Sequence, residues 1–140
     1  MRYLFVAGAV PFLILGILHI VYTLMDERRP RRIVPRDRAL ADAMRASTLV
    51  LTRQTTVWRA WIGFNLSHGL GIVLFAAGLL HMATLHFEAV RAAAPEVVFA
   101  APAVAAVYFL LSLRYWFSVP AIGSGVGTAL LLIGAAAAYA

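Results

Sequence analysis

The chain has 140 residues, 63% of them hydrophobic and 13% charged, a balance far from the roughly half apolar and one-quarter charged of soluble domains. It has no cysteine, which excludes disulfides, thiolate nucleophiles and thiolate metal sites. The net charge is +6 and every basic residue is Arg; most of these arginines share one short stretch between apolar blocks, which points to anionic lipid headgroups rather than nucleic acid.

The first apolar block is YLFVAGAVPFLILGILHIVYTLM, residues 3–25. It is longer than a signal-peptide core and runs into DERRPRR instead of a small-residue cleavage site, so a retained spanning helix is expected. Pro11 removes one helical hydrogen bond and should bend it. DERRPRRIVPRDR follows, a proline-broken basic loop. In ALADAMRASTLVL, Leu40, Met44, Ser47 and Leu51 recur at helical spacing, which suits a short amphipathic helix at the interface or an extension of the next helix. The second apolar block runs over about residues 56–84, HFEAVRAAAPE turns the chain, and the third covers 97–117. SVP reads as a tight turn and the fourth block covers about 120–139, with Pro120 suited to a helical first turn.

The expected fold is therefore all-α: a single four-helix antiparallel transmembrane bundle spanning residues 1–140, with a basic cytoplasmic loop and a short amphipathic helix between helices one and two. Arg28, Arg29, Arg31, Arg32, Arg36, Arg38, Arg45 and Arg53 fall between the first two blocks, and Arg59 and Arg114 at the same face; only Arg2 and Arg91 fall opposite. The positive-inside rule places the loop in the cytoplasm and both termini on the periplasmic side of a bacterial inner membrane. Trp58, Trp61, Tyr115 and Trp116 near the cytoplasmic ends form an aromatic belt.

Lipid offers helices little hydrophobic drive to associate, so small residues that permit close approach mark packing faces. Gly123, Gly127 and Gly134 line one face of helix four, and Gly71 and Gly78 one face of helix two. Such faces pack a bundle internally, or join it to a second copy as a homo-oligomer or to a larger membrane complex.

The stretch GFNLSHGL, residues 63–70, is polar at membrane depth. Trp61, Asn65 and His68 share a helical face, and at about 1.5 Å per residue Asn65 lies roughly 12 Å and His68 roughly 17 Å from the cytoplasmic end. His19 on helix one lies about 9 Å deep by the same measure. His19 and Asn65 then share a layer, His68 sits a turn further in, and Tyr22 closes the cluster toward the cytoplasm. Ionisable groups at such depth are candidates for function and should face inward; the plainer reading is an interhelical hydrogen bond. Arg114, in LRYWFSVP, either snorkels to lipid phosphates or closes the mouth of a pocket built by His19, Asn65 and Trp61. His81 and His86 are expected near the outer face, in water. No HExxH pair or phosphate loop is present and no acid/base pair lies at depth, so no catalytic and no metal-binding residues are assigned.

WRAWIGFNLSHGLGIVLF, LRYWFSVP, LGILH and PRDRALADAM together resemble a family of small bacterial four-helix integral membrane proteins without an assigned activity. A looser, architectural similarity is to the DoxX-like proteins, some of which are linked to quinone-dependent oxidation. Two functions follow as expectations. One is a non-enzymatic accessory or small-ligand-binding subunit; the other is a membrane oxidoreductase subunit that holds quinone or haem near His19 and His68.

Overall fold

The computed structural model describes residues 1–139. Their fold is helical throughout, with no strand among the described residues beyond an isolated bridge between Thr48 and Thr56. Six helices follow in order: α1 (Arg2–Arg28), α2 (Arg38–Ala46), α3 (Val57–Leu85), α4 (Phe87–Ala92), α5 (Pro95–Tyr115) and α6 (Ser118–Ala136). α1, α3, α5 and α6 are each long and apolar enough to cross a membrane.

The helix ends follow local chemistry. Helix α1 runs past the apolar block through Asp26 and Arg28 and stops short of Pro30, which disfavours helix in the residue before it. Asp37 caps α2 by accepting the Ala39 N–H at 2.9 Å. The expected helical face through Ser47 and Leu51 is not formed: α2 ends at Ala46, and Ser47 is already extended. Nor does α2 merge with α3, because 47–56 is largely irregular; STLVLTRQTT is rich in β-branched residues, which resist helix. SVP is not a turn either, since Ser118, Val119 and Pro120 form the first turn of α6, where a missing N–H costs nothing. Pro95 opens α5 on the same principle, and the connection before it contains the six-residue α4.

The chain divides into two compact units, Met1–Leu15 with Ile72–Ala140, and Gly16–Gly71. In the first, Phe5, Phe12, Ile72, Val98 and Leu131 pack with small alanines into an apolar core. Phe12 is 1% exposed and meets Phe75 edge-on at 5.4 Å between ring centres, a favoured aromatic arrangement. Helix α6 turns its glycines toward α1: Gly134 faces Leu4 and Phe5, Gly127 faces Gly8 and Phe12, and Gly123 faces Leu15. The partners ascend on α1 as they descend on α6, so these two helices run in opposite directions. A Cβ built on Gly127 would lie 2.8 Å from the Gly8 carbonyl oxygen and 2.6 Å from a Phe12 ring carbon, so the two backbones meet where only glycine fits. Gly78 differs from the sequence expectation: it is exposed and a Cβ there would meet nothing within 4 Å. Between α5 and α6, Ser124 donates to Ser112 at 3.4 Å, and Thr128 bonds back to the Ser124 carbonyl at 2.7 Å.

The second unit contains the last turns of α1, the basic loop, α2 and the first half of α3. Its close approach is at Gly69, where a Cβ would lie 2.7 Å from Ile20 and 3.3 Å from His19. Trp58 and Ile62 are buried on α3 and Ala41 on α2.

Candidate functional site

The polar face of α1 is set by helical spacing. His19, Thr23 and Asp26 are four and seven residues apart, so they stack on one side. Thr23 and Asp26 are fully buried, and His19 is half-buried. Thr23 returns its hydroxyl to the His19 carbonyl at 2.7 Å, which satisfies it without a second helix. On α3, Trp61, Asn65 and His68 present the matching face, with Asn65 fully buried.

These faces meet through Asn65. Its Nδ2 donates to the Trp61 carbonyl at 2.8 Å and its Oδ1 lies 3.0 Å from His19 Nε2. A carbonyl only accepts, so the amide nitrogen must be the group facing Trp61, and His19 Nε2 must carry the hydrogen given to Oδ1. When neutral, His19 thus holds its lone pair on Nδ1. His68 lies edge-on to His19 with ring centres 5.3 Å apart, and the Phe64 ring lies nearly parallel to His68, 8° off at 6.1 Å. Gly69 makes this possible, because any side chain beside His68 would push against His19 and Ile20.

The cluster continues into the basic loop. Trp61 Nε1 donates to the Ile33 carbonyl at 3.0 Å. The Ile33 and Arg32 N–H groups both donate to Asp26 Oδ2 at 2.6 Å. Among the described residues, the buried Asp26 Oδ1 has no hydrogen-bond partner. One chain of hydrogen bonds therefore runs from Asp26 through Ile33, Trp61 and Asn65 to His19.

Of the residues singled out from sequence, His19, Trp61, Asn65 and His68 come together. Tyr22 does not join them: it is 38% exposed and lies under the Arg32 guanidinium, 4.5 Å from the ring centre. The inward position belongs to Thr23, which is fully buried. Arg114 belongs to the other compact unit, where its guanidinium lies over the Tyr115 ring at 5.8 Å. His81 and His86 are exposed neighbours, 5.0 Å between ring centres. Sequence reasoning missed Thr23, Asp26 and Gly69. The spacing of the first two with His19 was a usable signal, obscured because Asp26 opens a charged run. Among the described residues no group of three or more His, Asp or Glu is placed to hold a metal ion.

The chain matches no known protein family, no characterised protein and no solved structure.

Proposed function

We propose that this chain is a multi-pass protein of the bacterial inner membrane, whose four long helices form an antiparallel bundle, and that His19, Asn65 and His68 form a small-ligand site in a non-enzymatic accessory subunit. The observation that carries the ligand site is the meeting of two imidazoles over a fully buried asparagine. A single interhelical bond would need only His19 and Asn65; the second imidazole adds a donor and acceptor beside them. The four apolar helices and the opposed direction of α1 and α6 support the bundle. The arginine excess between α1 and α3 supports a cytoplasmic loop with both termini outside.

A quinone suits the cluster as the alternative ligand, in a membrane oxidoreductase subunit. His68 can present an N–H to a quinone carbonyl, and Phe64 lies parallel to it as an aromatic wall. Bis-histidine haem does not suit it. Two rings in direct edge contact at 5.3 Å leave no slot between them for a macrocycle.

The test is solvent extraction of the purified protein followed by mass spectrometry. A stoichiometric small molecule in the parent, lost in His68→Gln with helix content kept, is expected. Its retention in His68→Gln would reduce the cluster to helix packing. A reporter fused after residue 140 tests the topology separately: activity confined to the periplasm is expected, and cytoplasmic activity would reverse the orientation.

A further inference from the structure

The basic loop is more than a stretch of like charge. Together with α2 it encloses an open cavity of ≈ 450 Å³ lined by Arg31, Arg36, Arg38 and Arg45, with Asp42 the one acidic side chain in the wall. Asp42 is already engaged, paired to Arg45 at 3.1 Å, while the Arg45 guanidinium also lies over Trp58 at 5.1 Å. The neighbouring Asp37 is turned to its own helix, where it accepts the Ala39 N–H. Arg31, Arg36 and Arg38 are exposed and have no carboxylate partner among the described residues. Three uncompensated guanidiniums around one cavity repel one another unless an anion enters.

Arg38 sharpens this. It is the first residue of the nine-residue α2, whose first turn has no acidic side chain. A cation there opposes the helix dipole, which the Asp37 cap offsets in part, and a bound anion would offset it further. The loop is also held in shape rather than left to coil, because Asp26 grips the N–H groups of Arg32 and Ile33. Leu40, next to the lining residue Ala41, stands exposed, and past the end of α2 so do Val50 and Leu51, an arrangement that water disfavours and a membrane interface accepts.

From these features we infer that the cavity between the α1–α2 loop and α2 binds the phosphate of an anionic phospholipid headgroup. The exposed apolar side chains of the same connection between α1 and α3 favour a lipid over a free phosphate. Position agrees, since the cavity lies between the end of one apolar helix and the start of the next, where lipid phosphates lie if the membrane reading above holds. Guanidinium forks bind phosphate oxygens in paired hydrogen bonds, which fixes a headgroup rather than merely attracting it.

The test is native mass spectrometry of the full chain purified in detergent and titrated with phosphatidylglycerol, phosphatidylcholine or inorganic phosphate. Arg36→Gln/Arg38→Gln is compared with Arg28→Gln/Arg29→Gln, which removes equal charge outside the cavity wall. One phosphatidylglycerol is expected to be retained by the parent. Its binding should weaken roughly fivefold for each cavity arginine removed and be unchanged in the second pair. Either single cavity substitution serves if the double variant does not fold. Equal weakening in both pairs would overturn the site in favour of diffuse charge. Equal retention of phosphatidylcholine would overturn the selection for an anion. Displacement of the lipid by equimolar inorganic phosphate would overturn the lipid assignment. None of these results bears on the reporter fusion, so failure of this site and failure of the membrane topology are separable.

Discussion

The two compact units solve the same problem with different chemistry. In Met1–Leu15 with Ile72–Ala140, α1 and α6 touch through glycines and aromatic rings, and the buried polar groups Ser112, Ser124 and Thr128 mostly bond within their own helix. In Gly16–Gly71, a hydrogen-bond chain passes from the Asp26 carboxylate on α1 through the loop and α3 to a histidine. Burial of apolar area does little to join helices in lipid, which leaves close packing and polar bonds as the available forces. The first unit relies on packing. The second spends polar groups that packing alone would not need, and therein lies the case for a site there.

The comparison breaks most sharply at Gly127. Gly127→Leu would drive a side chain into the Phe12 ring and the Gly8 carbonyl, and should cost about 3 kcal/mol, the upper part of the range for overpacking. Gly78→Leu, at an open position of α3, should stay within about 0.5 kcal/mol of the parent. Thermal unfolding in detergent reads both. Equal losses would show that close approach to α6 is not what holds the first unit.

Next in size is Asp26→Ala in the second unit. It strands two loop N–H groups that now bond a carboxylate, and hydrogen bonds to a charged group contribute about 1.5–3 kcal/mol each. A loss of about 2–3 kcal/mol in all is expected, less than two full bonds because Arg32 is exposed and Ile33 half-buried, so water takes up part of what the carboxylate held, with faster trypsin cleavage at Arg31 and Arg32. Asp26→Asn keeps an acceptor and should lose less. Cleavage rates equal to the parent's would mean the loop is held by something other than this carboxylate.

How much of this was legible beforehand depends on which force holds each region. Four apolar blocks long enough to span a bilayer are a property of composition, so α1, α3, α5 and α6 could be read directly. The meeting of His19 with Asn65 could be read because both depth and helical face follow from a fixed rise and twist. Tyr22 and Gly78 show the limit. Tyr22, three residues after His19, lies about 60° round the helix from it, and its ring turns to Arg32. Gly78 carries the same sequence mark as Gly127, yet a glycine marks close approach only if another helix lies over it. Asp26 was hidden for another reason: its partners are backbone N–H groups of a folded-back loop, and no side-chain pattern announces those.

Trp61→Phe is a smaller perturbation. It trims a half-buried indole to a single ring and deletes one N–H, which now bonds the Ile33 carbonyl at 3.0 Å. About 1 kcal/mol is expected, the usual net contribution of a neutral hydrogen bond. The more telling readout is transmission. If the chain from Asp26 to His19 acts as one network, Trp61→Phe should also raise trypsin cleavage at Arg31 and Arg32. Unchanged cleavage would show that the loop and the histidine cluster are held independently.

The smallest effect separates the two units most cleanly. A double-mutant cycle on His19→Phe and Asn65→Leu isolates the coupling across one interhelical hydrogen bond. Measured bonds of this kind in membrane proteins average about 0.6 kcal/mol, with a maximum near 1.7. At 3.0 Å between His19 Nε2 and Asn65 Oδ1, with Asn65 fully buried, a value at or above that average is expected. The corresponding cycle on Ser112→Ala and Ser124→Ala tests a contact of 3.4 Å whose Ser124 hydroxyl also bonds the Pro120 carbonyl at 2.7 Å. Each serine keeps a backbone partner on its own helix, so their coupling should fall below that of His19 and Asn65. Equal couplings would mean that polar bonds join helices no more in the second unit than in the first. The contrast would then rest on the glycines alone.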